Sequence, residues 1–96
     1  MKTLFIVYHE DMESKVLGIL QRGMVVTRYT RIDKVVGAHM VEMEAQTGYK
    51  ADRHNHIIMV MGNAQVIKEL VKALKVLQKT EGHGLRGFVV DAAEMF

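Results

Sequence analysis

Residues 56–91 read HIIMVMGNAQVIKELVKALKVLQKTEGHGLRGFVVD, and this run decides the fold. His56 to Met61 is a short apolar run of strand character. Gly62-Asn63 breaks it, and Asn63 is placed to cap a helix. Val66, Ile67, Leu70, Val71, Leu74 and Leu77 then recur at helical spacing and line one face of that helix. Thr80 to Gly84 (TEGHG) is a glycine-bearing turn, and Leu85 to Asp91 (LRGFVVD) is a second strand. Working outward, the first half repeats the order. Thr3 to His9 (TLFIVYH) reads as a strand, and Asp11 is placed to cap a helix carrying Met12, Val16, Ile19 and Leu20 on one face. Gly23 ends that helix, and VVTRYTRIDKVV, from Val25 to Val36, reads as another strand. The order βαββαβ is the ferredoxin-like split unit, an α+β fold: a four-stranded antiparallel sheet with two helices on one face.

The chain has 96 residues, which fits a single domain over 1–96. A domain of this size buries only about two-thirds of the surface its unfolded chain exposes, so association with further copies would add stability. The net charge of +2 is mildly basic and suits small anionic ligands without calling for nucleic acid. No cysteine is present, which excludes disulfides, thiolate metal sites and cysteine catalysis. No run is long enough to span a bilayer and no signal-peptide pattern opens the chain, so a cytoplasmic protein without membrane insertion is expected. The one serine, Ser14, has no histidine near it in sequence and no carboxylate pair stands out, so an enzyme is not expected.

Two features bear on assembly and function. A sheet covered on one side should alternate apolar and polar residues. Here Leu4, Ile6 and Tyr8 oppose Phe5 and Val7, Ile57, Met59 and Met61 oppose Ile58 and Val60, and Val89 opposes Phe88 and Val90. Both faces are apolar while two helices can bury only one, which predicts a homo-oligomer. The second feature is the stretch from Gly37 to His56, GAHMVEMEAQTGYKADRHNH, which has no sustained hydrophobic period. Connections beyond about 12–15 residues are uncommon in compact domains and are often functional, so a long loop over 37–56 is expected to touch ligand or partner.

The segments KTLFIVYHEDM, GMVVTRYTRIDKVVGAH, NHIIMVMGNAQVIKELVKAL and EGHGLRGFVVDAAEMF, in this order, resemble the P-II nitrogen-regulatory signalling proteins and their shorter PII-like relatives. The resemblance covers nearly the whole chain. It implies a homotrimer with sheets facing inward and a small-molecule effector, often an adenine nucleotide, bound in clefts between subunits. It also implies a loop after the second strand that moves with ligand and docks on a transporter, enzyme or regulatory protein. Gly37, at the loop's base, joins the ligand site on this ground. The family's Gly-Asp-Gly-Lys turn reads Gly82-His83-Gly84-Leu85-Arg86 here, with Arg86 in the basic place. The family's pair of arginines after the last strand has no counterpart in AAEMF.

The residues themselves carry three constellations. Gly82, His83 and Gly84, followed by Arg86, offer backbone N–H groups and a guanidinium to a phosphate or carboxylate, or else form a helix end and a tight turn. Arg28, with Arg31 and Lys34, lines a subunit cleft against an anion or stands as solvated edge charge. His54 and His56 project to one side of an extended segment, and His39 could complete a three-histidine site for a divalent metal, with Glu42, Glu44 or Asp52 as oxygen ligands. The alternative is solvated or backbone-bonded imidazoles. Lys68, Lys72, Lys75 and Lys79 make a solubilising stripe on the outer face of the second helix.

Overall fold

The computed structural model describes residues 1–22, 28–40, 49–82 and 84–94, with backbone only for residues 36–40 and 49–53. In chain order these form β1 (Lys2–His9), a 3-10 turn (Glu10–Met12), α1 (Glu13–Gln21), β2 (Thr30–Met40), β3 (Tyr49–Gly62), α2 (Ala64–Glu81) and β4 (Leu85–Asp91). The strands make one antiparallel sheet in the order β2-β3-β1-β4, so β1 and β3 are central and β2 and β4 are edges. This is the βαββαβ sandwich expected from the sequence.

The register shows why the strand residues alternate as they do. Leu4 pairs with Val60 and Val89, Ile6 with Ile58 and Gly87, and Tyr8 with His56 and Leu85. Leu4, Ile6, Tyr8, Ile58, Val60 and Leu85 are buried, and they meet Val16, Ile19 and Leu20 of α1 and Ile67, Leu70 and Leu74 of α2. The other face carries Phe5, stacked on Phe88 with ring centroids 4.8 Å apart, together with Ile57, Met59 and Val90. On that face Ile32, Met61 and Phe88 are each more than half exposed. The second apolar face predicted from the strands is therefore open in a single chain.

Helix ends follow local chemistry. Asn63 Oδ1 accepts the Val66 N–H at 2.9 Å, as a side-chain cap of α2 should. The helix runs to Glu81, longer than the turn expected from Thr80, because Gly82 at φ 87 supplies the left-handed residue that stops it. At α1 the expectation fails. Asp11 is not the cap: it lies inside the 3-10 turn, its own N–H donates to His9 Nδ1 at 3.1 Å, and α1 starts after Met12 with no side-chain cap. Gly23, expected to end α1, and the first residues of the expected second strand lie outside the described residues.

The long loop is the larger correction. β2 continues to Met40 and β3 begins at Tyr49, with Ala38, His39 and Met40 paired to Ala51, Lys50 and Tyr49. The described parts of 37–56 are thus a two-stranded ribbon, whose backbone groups satisfy one another. Hydrophobic period was absent because β1 ends at His9, so beyond that level the ribbon has lost its neighbouring strand.

Gly87 faces β1 so closely that an added Cβ would lie 2.6 Å from Phe5 O, a backbone atom that cannot yield without breaking the β1–β4 pairing. Gly87→Ala should therefore lower the unfolding free energy by about 2 kcal/mol in urea titrations. Gly18→Ala, on an open stretch of α1 with nothing within 4 Å, should instead raise it by about 0.5–1 kcal/mol.

Candidate ligand site and the root of the hairpin

At the end of the sheet where β1 stops, β2 must pass from the four-stranded body into the ribbon. The register slips between Ile32 and Val35, which leaves Asp33 and Lys34 bulged opposite His56. Lys34 sits at φ 53, an unfavourable place for a side-chain-bearing residue, and its N–H donates to His56 Nδ1 at 3.1 Å. Asp33 Oδ1 lies 3.5 Å from the same nitrogen. Arg31 reads Asp33 with two nitrogens, Nε to Oδ1 at 2.5 Å and Nη2 to Oδ2 at 3.2 Å, and reaches Glu13 Oε2 with Nη1 at 2.5 Å. Glu13 accepts a short hydrogen bond from the Tyr8 hydroxyl, and the Tyr8 ring lies 5.6 Å from that of His56. A closed polar circuit thus ties the first turn of α1, the end of β1 and the hairpin root together.

Burial first, then the hydrogen bond to Glu13 and its charge, raise the Tyr8 phenol well above the ordinary value of about 10. Hydrogen bonding to Asp33 raises the Arg31 guanidinium in turn, so it stays charged. Arg31 is therefore committed to the hairpin root.

The residues singled out for anion binding fall into two groups. Gly82 and Gly84, at φ 87 and 83, flank the α2–β4 turn, and the Gly84 carbonyl accepts the His9 N–H at 2.8 Å, which fixes the turn against the end of β1. Arg86 is exposed two residues on and lines a slot of about 140 Å³ between α2 and β4, with Lys75, Gln78 and Val89 among its other walls. Arg28 is exposed at the opposite edge, before β2, and borders an open hollow of about 540 Å³ with Tyr29, Thr30, Met59 and Met61. Strands lie about 4.8 Å apart, so the two edges are separated by three spacings, roughly 14 Å. One chain does not bring Arg28 to Arg86. Gly37 lies in β2 between the Val36–His54 and Ala38–Ala51 pairs, at the same end of the sheet as Gly84 but on the Arg28 edge. His83 lies outside the described residues.

The three histidines are not assembled in the described structure. His56 is buried with Nδ1 engaged, His54 is exposed, and His39 stands opposite Lys50 in the ribbon, with its side chain outside the description. Among the described residues no group of three or more His, Asp or Glu could hold a metal ion, and no helix is long and apolar enough to cross a membrane. Sequence reasoning missed His9, Tyr29 and the Tyr8–Glu13–Arg31 circuit. The signal for His9 was its position two residues before Asp11, the spacing of a side-chain cap on a tight turn.

No family model matches the sequence, and no curated protein matches it. Among solved structures the chain is similar to CPII of Thiomonas intermedia K12 bound to ADP, AMP and acetate, with a TM-score of 0.69 at 18% identity over 92% of this chain and 81% of that one. A DUF3240 family protein from Shewanella baltica OS155 gives 0.69 at 14% identity, covering 99% of this chain and 92% of its own. GlnK of B. subtilis gives 0.66 at 18% identity over 96% and 84%. CPII is a nitrogen regulatory PII-like protein that has also been solved with ADP, AMP and bicarbonate. The fold of this chain is that of the PII-like proteins, as the sequence resemblance implied.

The Tyr8 shift has a sign that can be checked. A phenol whose folded value is raised contributes its full stability below about pH 10 and loses it above, because the unfolded chain ionises first. Tyr8→Phe should cost about 1–2 kcal/mol at neutral pH, and the gap to wild type in urea unfolding should narrow as pH climbs past about 10.

Proposed function

We propose that this chain is the subunit of a trimeric, cytoplasmic PII-like regulator that binds a small anion, with an adenine nucleotide the best candidate, in clefts between subunits. The 37–56 hairpin docks on a protein partner, and ligand binding shifts the population of its conformations. The role is regulatory rather than catalytic.

The observation that carries this reading is the division of the site between opposite sheet edges. Arg28 with Tyr29, Met59 and Met61 offers a cation, an aromatic ring and two thioethers to a flat base. Gly84 and Arg86, in the turn with Gly82 and His83, offer backbone polarity and a guanidinium to a phosphate, while the Gly82 N–H is taken by Gln78 O at 2.9 Å. Neither half is complete alone. A head-to-tail contact, with the β2 edge of one copy against the β4 edge of the next and offset along the strands so that the Arg28 end meets the Arg86 end, joins them, and such a contact forms a ring where its rotation closes. The same ring buries the open apolar face around Ile32, Phe88 and Val90. Gly37, at the base of the hairpin, is the point where ligand state would reach the docking element. ADP and AMP in CPII, a protein of the same fold, support the choice of nucleotide.

The test uses calorimetry and subunit mixing. Arg28→Ala and Arg86→Ala should each weaken ADP binding about tenfold or more while native mass spectrometry still reports a trimer. Refolded together in equal amounts, the two variants set an intact Arg28 beside an intact Arg86 in about one junction of four, and that share of wild-type sites should return. Recovery of no sites would place both arginines in a site within one subunit. Unchanged ADP affinity in both variants would overturn the site.

A further inference from the structure

We infer that His9 is a further residue of the anion site, donating a hydrogen bond from Nε2 to a ligand oxygen held at the Gly82–Gly84 turn. This rests on the reading of that turn as an anion site and adds to it a donor that neither the sequence pattern nor the family resemblance assigned.

The protonation of His9 is constrained by its neighbours. Nδ1 accepts the Asp11 N–H at 3.1 Å, and the Asp11 carboxylate stands 3.4 Å from the same nitrogen. In the neutral ring Nδ1 is then the acceptor and the proton is on Nε2; in the charged ring both nitrogens carry one. Nε2 is a donor either way. That atom is closed to water and has no hydrogen-bond partner among the described residues. Buried donors are nearly always paired, and one left unpaired is costly enough to require an explanation.

Its surroundings point to a ligand. The His9 N–H is bonded to Gly84 O, so the residue is pinned to the turn by its own backbone. A Cβ on Gly84 would lie 3.4 Å from His9 Cβ and 3.5 Å from Met12 Sδ, so the Gly84 backbone lies directly against the His9 and Met12 side chains. Gly82 and Gly84, both at positive φ, adopt that conformation without steric cost. An anion entering there would find the Arg86 guanidinium and a donor already desolvated. The cost of leaving Nε2 unpaired in the free protein is returned on binding, and only an acceptor can return it. A phosphate or carboxylate oxygen meets that requirement, whether it belongs to a nucleotide or to a free anion.

Two substitutions separate the ring's two nitrogens. His9→Asn retains an acceptor near the Nδ1 position, and with it the cap on the Glu10–Met12 turn, but has nothing at Nε2. His9→Gln can place an amide donor near the Nε2 position. Calorimetry with ADP, inorganic phosphate and bicarbonate on the intact trimer should show His9→Asn binding about tenfold more weakly at an essentially unchanged melting temperature, with His9→Gln close to wild type. The Nε2 resonance of His9 in ¹⁵N-histidine-labelled wild type should move on saturation. Loss with ADP alone assigns the contact to the nucleotide; loss with phosphate or bicarbonate as well assigns it to a free-anion subsite. Wild-type affinity in His9→Asn, with Arg86→Ala impaired, would remove His9 from the site and leave the site standing. Absence of binding by wild type to all three anions would overturn both the inference and the reading beneath it.

Discussion

β1 is apolar on both faces and lies between β3 and β4, while the two helices cover only the face that carries Leu4, Ile6 and Tyr8. That imbalance constrains everything else in the structure. On the covered side it fixes register, since a slip of one residue would turn Leu4, Ile6 and Tyr8 out of the core and Phe5 and Val7 into it. On the open side it leaves the Phe5–Phe88 stack, Ile57, Met59 and Ile32 without a covering layer. The approach of Gly87 to Phe5 O belongs to the same logic. β4 is an edge strand whose residues after Leu85 are exposed, and it holds its place through tight pairing with β1 and the Lys2–Asp91 ion pair at its far end.

The hairpin root obeys a second constraint. β3 is long enough to serve both the sheet and the ribbon, but the two demand different registers from β2, and the difference is absorbed at Asp33 and Lys34. A bulge leaves backbone groups to satisfy, and here His56 takes the Lys34 N–H while Arg31 holds Asp33. Because Arg31 also binds Glu13 at the start of α1, the direction in which the ribbon leaves the sheet is tied to the helix layer. Movement of the ribbon as a body would have to break or carry this circuit, whereas movement beyond Val36 would not. A change at Gly37, above the bulge, could therefore move the ribbon without disturbing the circuit.

The fold was legible because its signals are local. Asn63 before an apolar face of helical period, Gly82 after it, and β-branched runs of strand length each specify one element, and each element formed. What failed to read was whatever depends on partners distant in sequence. Asp11 looked like a cap, but a 3-10 turn capped by His9 comes first, and α1 starts only after Met12. The stretch 37–56 looked irregular because period reports packing against a layer, and a ribbon past the end of β1 has none. His54 and His56 looked alike by spacing, yet only His56 lies within the reach of β1 and the bulge, where its ring is buried and bonded. Arg31 looked like Arg28, but Glu13 and Asp33 converge on it from other elements.

The candidate site was legible only in halves, for a related reason. Turn chemistry made Gly82, Gly84 and Arg86 visible, and charge made Arg28 visible, but their relation depends on strand order. The order β2-β3-β1-β4 sets them on opposite edges, a separation that no rearrangement within a four-stranded sheet can remove without breaking β3 and β1 apart. If the two halves share one ligand, the sheet edges of two copies must meet. The open apolar face independently asks for a neighbouring copy, and the residues exposed there, Ile32 beside β2's edge and Phe88 and Val90 on β4, flank the two halves of the site. On the proposed reading assembly and ligand binding would draw on adjoining surfaces, so a ligand that bridges the edges would bind the assembled form better than the single chain and tighten it by the same factor.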